Sequence, residues 1–265
     1  MSKSVGGNAE FYARQFKALD IWGRSRATVS AGERARVDAV VSSIPRGTRT
    51  ILDVGCADGL VANELVDAGF DVIGVDLVPE LLRFVRAPTV EASVASLPFE
   101  NGSFDCVLAS DVLEHLPSEM FEASLAEIDR VARRHVVINC PHREDLVQLQ
   151  ARCGRCLTVF HASHHVRRVS EADVAAWFPA FTVTATMLTG EPWPFRSRPL
   201  QRLAQLTGRV FYQGAGIVCP MCGYDVDPAP PNPLVRAANG AAQRVAGILH
   251  GTRPSELVVV LARSD

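Results

Sequence analysis

Ile51-Leu-Asp-Val-Gly-Cys-Ala-Asp-Gly59, followed by Val72-Ile-Gly-Val-Asp76, decides how this chain is read. A short apolar run ends in a turn built from Gly55, Ala57 and Gly59, and a helical pattern follows over Leu60–Ala68. A second apolar run then ends in an acid, Asp76, 21 residues past Gly55. Small residues let a backbone come close to a ligand, and a helix N-terminus presents unpaired N–H groups. A carboxylate at the tip of the next strand suits a ribose diol. The stretch reads as a nucleoside site.

What the loop lacks narrows the nucleoside. A dinucleotide fingerprint, G-x-G-x-x-G, leaves the helix start open to a pyrophosphate. Here the loop is Gly55-Cys-Ala-Asp-Gly59, with Asp53 two residues before the first glycine and Asp58 inside the turn. Two carboxylates would repel a pyrophosphate and attract a cation. The pattern closely resembles motif I of the class I S-adenosylmethionine-dependent methyltransferases, whose cofactor carries an amino group and a sulfonium. The resemblance continues through Ser96-Leu-Pro-Phe-Glu-Asn-Gly-Ser-Phe-Asp105 and Val107-Leu-Ala-Ser-Asp-Val-Leu-Glu-His-Leu116. These segments are similar to later signatures of the group that acts on small molecules, and together they span Thr50–Cys140.

The resemblance implies an α/β, Rossmann-like methyltransferase fold. Its sheet would have seven mostly parallel strands with an antiparallel final strand, plus a small zinc-knuckle insertion. It also implies roles. Asp53 would reach the cofactor's amino group, and Gly55, Cys56, Ala57 and Gly59 would form the loop against it. Asp76 would take both ribose hydroxyls and Leu77 would pack on the adenine. Ser93 stands where the family often has an acid for the adenine amino group, so its hydroxyl and the Val94 backbone would serve the base. Ser110 and Asp111 would border the methionine end.

Composition sets outer bounds. With 265 residues, 48% of them apolar, the chain can bury one large α/β domain with insertions. Its apolar runs are shorter than a membrane span. Met1-Ser-Lys-Ser-Val-Gly-Gly has no apolar signal region, which points to a cytoplasmic protein. A formal net charge of −2 disfavours nucleic acid as a partner. Seven cysteines without a signal point to reduced thiols and metal binding.

Phe11–Leu19 and Gly32–Ile44 read as helices, and by resemblance residues 1–49 form a lid before the methyltransferase domain at 50–265. Strands are expected at Thr50–Val54, Asp71–Val75, Val90–Val94, Phe104–Ala109 and His135–Asn139, with helices at Glu80–Val85 and Ser118–Ala132 between them. Alternation of this kind favours a parallel sheet covered on both faces. Ser118 is read as a helix cap. Later elements are helices at His142–Ala151, Ser170–Phe178, Leu200–Phe211 and Leu234–Leu249, and strands at Phe181–Leu188 and Leu257–Leu261. Residues 151–169 and 190–233 form the insertion.

The insertion holds Cys153-x-x-Cys156 and Cys219-Pro-Met-Cys-Gly223. Four thiolates in C-x₂-C pairs suit tetrahedral zinc in a structural role. The 62 residues between the pairs mean that the fold must bring them together. His161, His164 or His165 could replace one thiolate. Knuckles in this arrangement resemble those of zinc-containing methyltransferases of glycan or natural-product pathways.

Methyl transfer to a hydroxyl benefits from a base, and His115 and His142 follow the fourth and fifth strands, where ligands bind in open α/β sheets. Each histidine could equally be structural. Ser110-Asp-Val-Leu-Glu114 replaces the Asn/Asp-Pro-Pro-aromatic motif of nucleic-acid amino methyltransferases. The favoured reading is O-methylation of a sugar, glycan or other small metabolite. The competing ones are an RNA or protein methyltransferase docking through the zinc region, and a non-catalytic S-adenosylmethionine-binding zinc scaffold.

Overall fold

A computed structural model of the protein describes residues 9–18, 23–147, 149–194, 217–226 and 252–264. The chain forms two compact units. The larger comprises Ile21–Glu144, Arg167–Glu191 and Ser255–Asp265; the other comprises Met1–Asp20, Asp145–Val166 and Pro192–Pro254.

The larger unit is built on the alternation of apolar runs and helices. Its strands are β1 (Thr50–Val54), β2 (Asp71–Asp76), β3 (Thr89–Glu91), β4 (Phe104–Ser110) and β5 (Ala132–Pro141). After two short strands of the other unit, β6 (Gln150–Arg152) and β7 (Val159–His161), the sheet gains β8 (Phe181–Pro194). Two more short strands follow, β9 (Ile217–Val218) and β10 (Asp225–Val226), and β11 (Thr252–Arg263) closes the sheet. The order is β3-β2-β1-β4-β5-β11-β8. The first five strands pair in parallel, and β11 runs antiparallel to β5, with Val259 opposite Ile138. This is the expected seven-stranded, mostly parallel sheet with an antiparallel final strand.

Both faces are covered, which is why the strands read as unbroken apolar runs. Alternation within β4 sends Val107 and Ala109 to one core with Phe121, Leu125 and Ile128 of α5 (Ser118–Val131). Cys106 and Leu108 go to the other, with Val37 and Val40 of α2 (Ala31–Ser43) and Leu60, Val61 and Leu65 of α3 (Leu60–Asp67). Each large side chain buried this way contributes about 1.5–3 kcal/mol. Cys56, Cys106 and Cys140 are buried members of these cores, as small apolar residues would be.

α2 starts at a capping box: Ser30 Oγ accepts from the Glu33 amide and Glu33 accepts from the Ser30 amide. The helix at Ser118 starts differently from the expectation. Pro117 occupies the cap without a side-chain bond, and Ser118 is already inside the helix. The segment Pro79–Leu82 (α4) is a single turn.

The cysteine-bearing unit contains α1 (Ala9–Ala18) and two small ladders, β6 with β7 and β9 with β10. The helix expected over His142–Ala151 does not form. Asp145 accepts the Val147 amide in a local turn, and Gln150–Arg152 pairs instead with Val159–His161. Ser170, by contrast, caps α6 (Glu171–Trp177) reciprocally with Asp173. The helices expected at Leu200–Phe211 and Leu234–Leu249 lie outside the described residues.

One polar knot ties the entry side of the sheet. Asp105, buried at the start of β4, accepts the amides of Arg49 and Thr50 at 3.0 and 3.1 Å and pairs with Arg133. Burial pushes its carboxyl up, but Arg133 and the two amides outweigh this and hold it below the usual carboxylate range. Stability from such a group is complete above the unfolded-state value and is lost as pH falls toward the folded-state one. Asp105→Asn should therefore cost about 1–3 kcal/mol at pH 7. Urea titrations should show the difference shrinking below about pH 4; an equal loss at both pH values would contradict this account.

Candidate functional site

β1 and β2 both end at one rim of the sheet, and the chain leaves β1 through the glycine turn. The amides of Gly55 and Cys56 donate to the Val75 carbonyl at 2.7 and 3.0 Å, locking the turn to β2. Gly55, Ala57 and Gly59 all have positive φ, at +69°, +48° and +79°. A Cβ on Gly55 would lie 2.4 Å from Val112 Cγ2, so this position admits only glycine without rearrangement. At the tip of β2, Asp76 accepts the Ala57 amide at 2.9 Å and the Val78 amide at 2.8 Å. The acid is thus oriented by the loop itself.

Asp53 is 2% exposed at the end of β1. Burial and the neighbouring Asp76 push its carboxyl up to about 8, against an opposing pull from Arg36. Asp58 has another task. Arg24 clamps it through its backbone amide at 2.8 Å and two guanidinium nitrogens at 3.0 Å. Of the two loop carboxylates read as attracting a cation, Asp58 is spent on Arg24, and Asp53 remains.

The remaining cofactor candidates distribute around this turn and the strand ends. Cys56 is buried beneath the loop, its Sγ 2.8 Å from where a Cβ on Gly74 would stand. Leu77 is half-buried beside Asp76. Ser93 accepts the Ala95 amide at 3.2 Å in the turn after β3, and Val94 is buried. Ser110 and Asp111 end β4, where Ser110 Oγ donates to Asn139 Oδ1 at 2.9 Å and the Asp111 amide donates to the Asn139 carbonyl at 3.0 Å.

Arg36 of α2 joins that end of the sheet. Its guanidinium meets Asp111 at 2.8 Å, Ser110 Oγ at 3.1 Å and Asn139 Oδ1 at 3.2 Å, and Asn139 Nδ2 donates to Glu256 at 3.3 Å. Arg24, Arg36, Asn139 and Glu256 carry no signal in the sequence. Arg36 sits three residues past the capping Glu33 with nothing local to mark it, and Asn139 and Glu256 meet only because β5 and β11 are neighbours.

The two histidines differ. His115 ends the 3₁₀ turn Leu113–His115, half-buried, with Nε2 4.0 Å from Glu114. His142 follows β5, and its buried side chain lies 3.4 Å from Glu171 on the first turn of α6. Glu171 is held below its usual range first by its own backbone amide, and then by His142 and Arg143.

In the other unit, Cys153, Cys156, Cys219 and Cys222 converge despite the long gap, all four Sγ atoms within 4.8 Å of one another. Cys153 lies 3.7 Å from Cys222 and Cys156 lies 3.6 Å from Cys219. The four thiols are free. Zinc–thiolate bonds of about 2.3 Å in a tetrahedron place sulfurs about 3.8 Å apart, so these spacings fit zinc. Amides of Arg155 and Cys156 point at Cys153 Sγ at 3.4 Å, and Gly223 makes the turn after the second pair at φ +65°. His164 turns away, its Nε2 bonded to the Val218 carbonyl at 2.8 Å.

Residues 52–139 match the family described as "Methyltransferase domain". A ubiquinone biosynthesis O-methyltransferase of Xanthomonas campestris pv. campestris is 27% identical over 180 residues, covering 62% of this chain and 75% of that one. Among solved structures, the Burkholderia thailandensis 1,6-didemethyltoxoflavin-N1-methyltransferase, bound to 1,6-didemethyltoxoflavin and S-adenosylhomocysteine, superposes with a TM-score of 0.54. The identity is 16%, over 100% of this chain and 94% of that one. A SAM-dependent methyltransferase from Archaeoglobus fulgidus gives 0.52 at 19% identity, over 96% and 99%. At these identities the two structures speak for the fold.

The Asp53 carboxyl holds its proton at neutral pH, so a ligand ammonium seated on it must expel that proton. Affinity for such a ligand should rise with pH up to about 8. Calorimetry in buffers of different ionisation enthalpy should detect the released proton at pH 7, and none with Asp53→Asn. A pH-independent affinity would contradict the geometry.

Proposed function

This chain is a class I S-adenosylmethionine-dependent methyltransferase, and from that premise we propose that it methylates an oxygen of a small metabolite, a sugar or glycan among them. The observation that carries the reading is Asp76, held by the Ala57 and Val78 amides at the rim beside the glycine turn. There a carboxylate meets a ribose diol, each charged hydrogen bond contributing about 1.5–3 kcal/mol. The O-directed, small-molecule acceptor draws support from the Xanthomonas relative's name.

The chain's own groups divide the work. Asp53 and Arg36, close enough to influence each other, offer an acid for an ammonium and a base for a carboxylate, as an amino-acid zwitterion requires. The Gly55–Gly59 turn lets the backbone approach the nucleoside, Leu77 packs on the base, and Ser93 and Val94 serve its edge. Ser110 and Asp111 border the methionine end. When bound, the cofactor supplies a methyl group activated by the sulfonium. The protein's main contribution is alignment of the acceptor oxygen, which accounts for up to about 7–11 kcal/mol in favourable cases. Each imidazole has a glutamate within 4.0 Å, and His115, its side chain 26% exposed against 7% for His142, serves as the base more readily.

The cysteine quartet takes a structural zinc, supported by the sulfur spacings. Four protein ligands close the sphere and leave no position for a substrate. The metal would also order the N-terminal helix. Gln15 accepts the Val218 amide at 2.9 Å, Arg14 donates to the Gly223 carbonyl at 2.8 Å, and the Phe11 ring packs edge-on to His164 at 4.9 Å. The zinc-ordered unit is proposed as an insertion in the methyltransferase domain. No helix among the described residues is long and apolar enough to cross a membrane.

Three outcomes are expected. Asp76→Ala should weaken S-adenosylhomocysteine binding at least tenfold by calorimetry, and unchanged binding would remove its ribose role. Trideuteromethyl-labelled cofactor should mark small metabolites of a cell extract rather than its RNA or protein; label confined to either polymer would overturn the acceptor. Freshly purified protein should contain one zinc, and chelation should lower Tm and speed amide exchange over Ala9–Ala18; metal-free protein with that helix protected would refute the zinc.

A further inference from the structure

The two cysteine knuckles fold alike. In the first, the Leu157 amide donates to the Cys153 carbonyl at 3.1 Å and the Cys153 amide to the Thr158 carbonyl at 2.9 Å. In the second, the Gly223 amide donates to the Cys219 carbonyl at 2.9 Å and the Cys219 amide to the Tyr224 carbonyl at 2.8 Å. Leu157 therefore occupies the position of Gly223, with φ +61° against +65°. Glycine adopts that left-handed conformation without steric cost, and leucine does not. The leucine is also 59% exposed, so burial does not offset the strain. A side chain both strained and solvent-facing, where glycine would serve, points to a task outside the fold.

Leu157 has company. Val159, Met221 and Tyr224 are exposed as well, and each of the four lies within three positions of a cysteine of the converging quartet. None of them joins the unit's own apolar cluster of Ala151, Ala162 and Ile217. In the β6–β7 ladder Ala151 and Phe160 stand opposite each other and pack on that cluster, while the next pair, Arg152 and Val159, faces the other way. Arg152 and Arg155 are exposed, and residues 150–166 contain no acid. Charge along the chain is segregated in the same sense. The cysteine-bearing unit has twelve lysines and arginines against five aspartates and glutamates, and the remainder has fifteen against 24. The overall charge of −2 thus hides a strongly basic unit.

We infer that the knuckle surface docks on an anionic lipid bilayer. Apolar side chains set among arginines match the boundary between acyl chains and charged headgroups, where the former enter the apolar layer and the guanidiniums meet phosphates. An apolar patch alone would suit another protein equally well; the excess of positive charge selects a surface of dense negative charge. Nucleic acid is such a surface too, but it asks for aromatic platforms under its bases, and three of the four exposed side chains carry no ring. Docking of this kind is peripheral. It stands on the cysteine-bearing unit alone, whether or not the acceptor proposed above is right.

Vesicle flotation of the full-length protein, purified without chelator, tests this. Vesicles of phosphatidylcholine with about one-third phosphatidylglycerol are compared with phosphatidylcholine alone. The protein should bind the anionic vesicles at least tenfold more tightly, and the preference should weaken as salt is raised. Binding to neither, or equally to both, overturns the inference. Leu157→Gly keeps the backbone that the knuckle already has. It should melt no lower than the parent, bind S-adenosylhomocysteine within threefold of it, and lose at least fivefold in affinity for the anionic vesicles. A lower Tm or undiminished vesicle binding in that variant overturns the inference. Replacing Arg152 and Arg155 together by glutamine should remove most of the preference for anionic vesicles, and a preference left intact also overturns it. Tight binding to a mixed-sequence RNA, with indifference to both vesicles, would assign the basic unit to nucleic acid instead.

Discussion

The bond from the Ala57 amide to the Asp76 carboxylate, 2.9 Å long, is the contact on which the site depends. It joins the turn after β1 to the tip of β2, and the Val75 carbonyl reinforces it from the other side by accepting the Gly55 and Cys56 amides. Those bonds require three alternate positions of the loop to adopt positive φ. Gly55 and Gly59 do so at no steric cost, and Ala57 at a modest one. The loop and the acid thereby define each other. A carboxylate held by two backbone amides keeps its remaining lone pairs in a fixed direction, which a diol needs.

Around this contact the rim is acidic and sparingly neutralised. Asp53, Asp76 and Glu256 are all raised above the usual carboxylate range, with burial the first cause in each. Arg36 is the counterweight, reaching from α2 to three groups at the ends of β4 and β5. Arg24 performs a different service, cancelling Asp58 beneath the turn so that the loop is not over-charged. A rim arranged this way favours cations, and a sulfonium nucleoside is a cation.

The cysteine unit solves a separate physical problem. Its described ladders, β6–β7 and β9–β10, are two or three residues long, far too short to hold themselves together in water. Its described apolar cluster is small, built on Ala151, Ala162 and Ile217. Four converging thiols stand where the proposed zinc would supply the cross-link that such a core cannot, and the N-terminal helix uses the second knuckle as its platform through Gln15 and Arg14.

Local chemistry was enough for some of this. The apolar runs, the Gly55–Gly59 turn, the acid at Asp76 and the Ser170 cap are written in neighbouring residues, because strand burial, positive φ and capping are settled within a few positions. The paired cysteines announced themselves by spacing, although their meeting across 62 residues belongs to the fold. Other features were invisible in the chain order. His142–Ala151 carries a helical pattern, yet Gln150–Arg152 found a strand partner that local propensity does not describe. Asp58 reads as a ligand acid until Arg24 folds onto it, and Arg36, Asn139 and Glu256 become a network only when α2, β5 and β11 converge. The sequence alone determined the type of pocket, since backbone conformation and residue chemistry are local. Only the tertiary structure decided which charges remain available in it, since Coulomb pairs and burial depend on who is near in space.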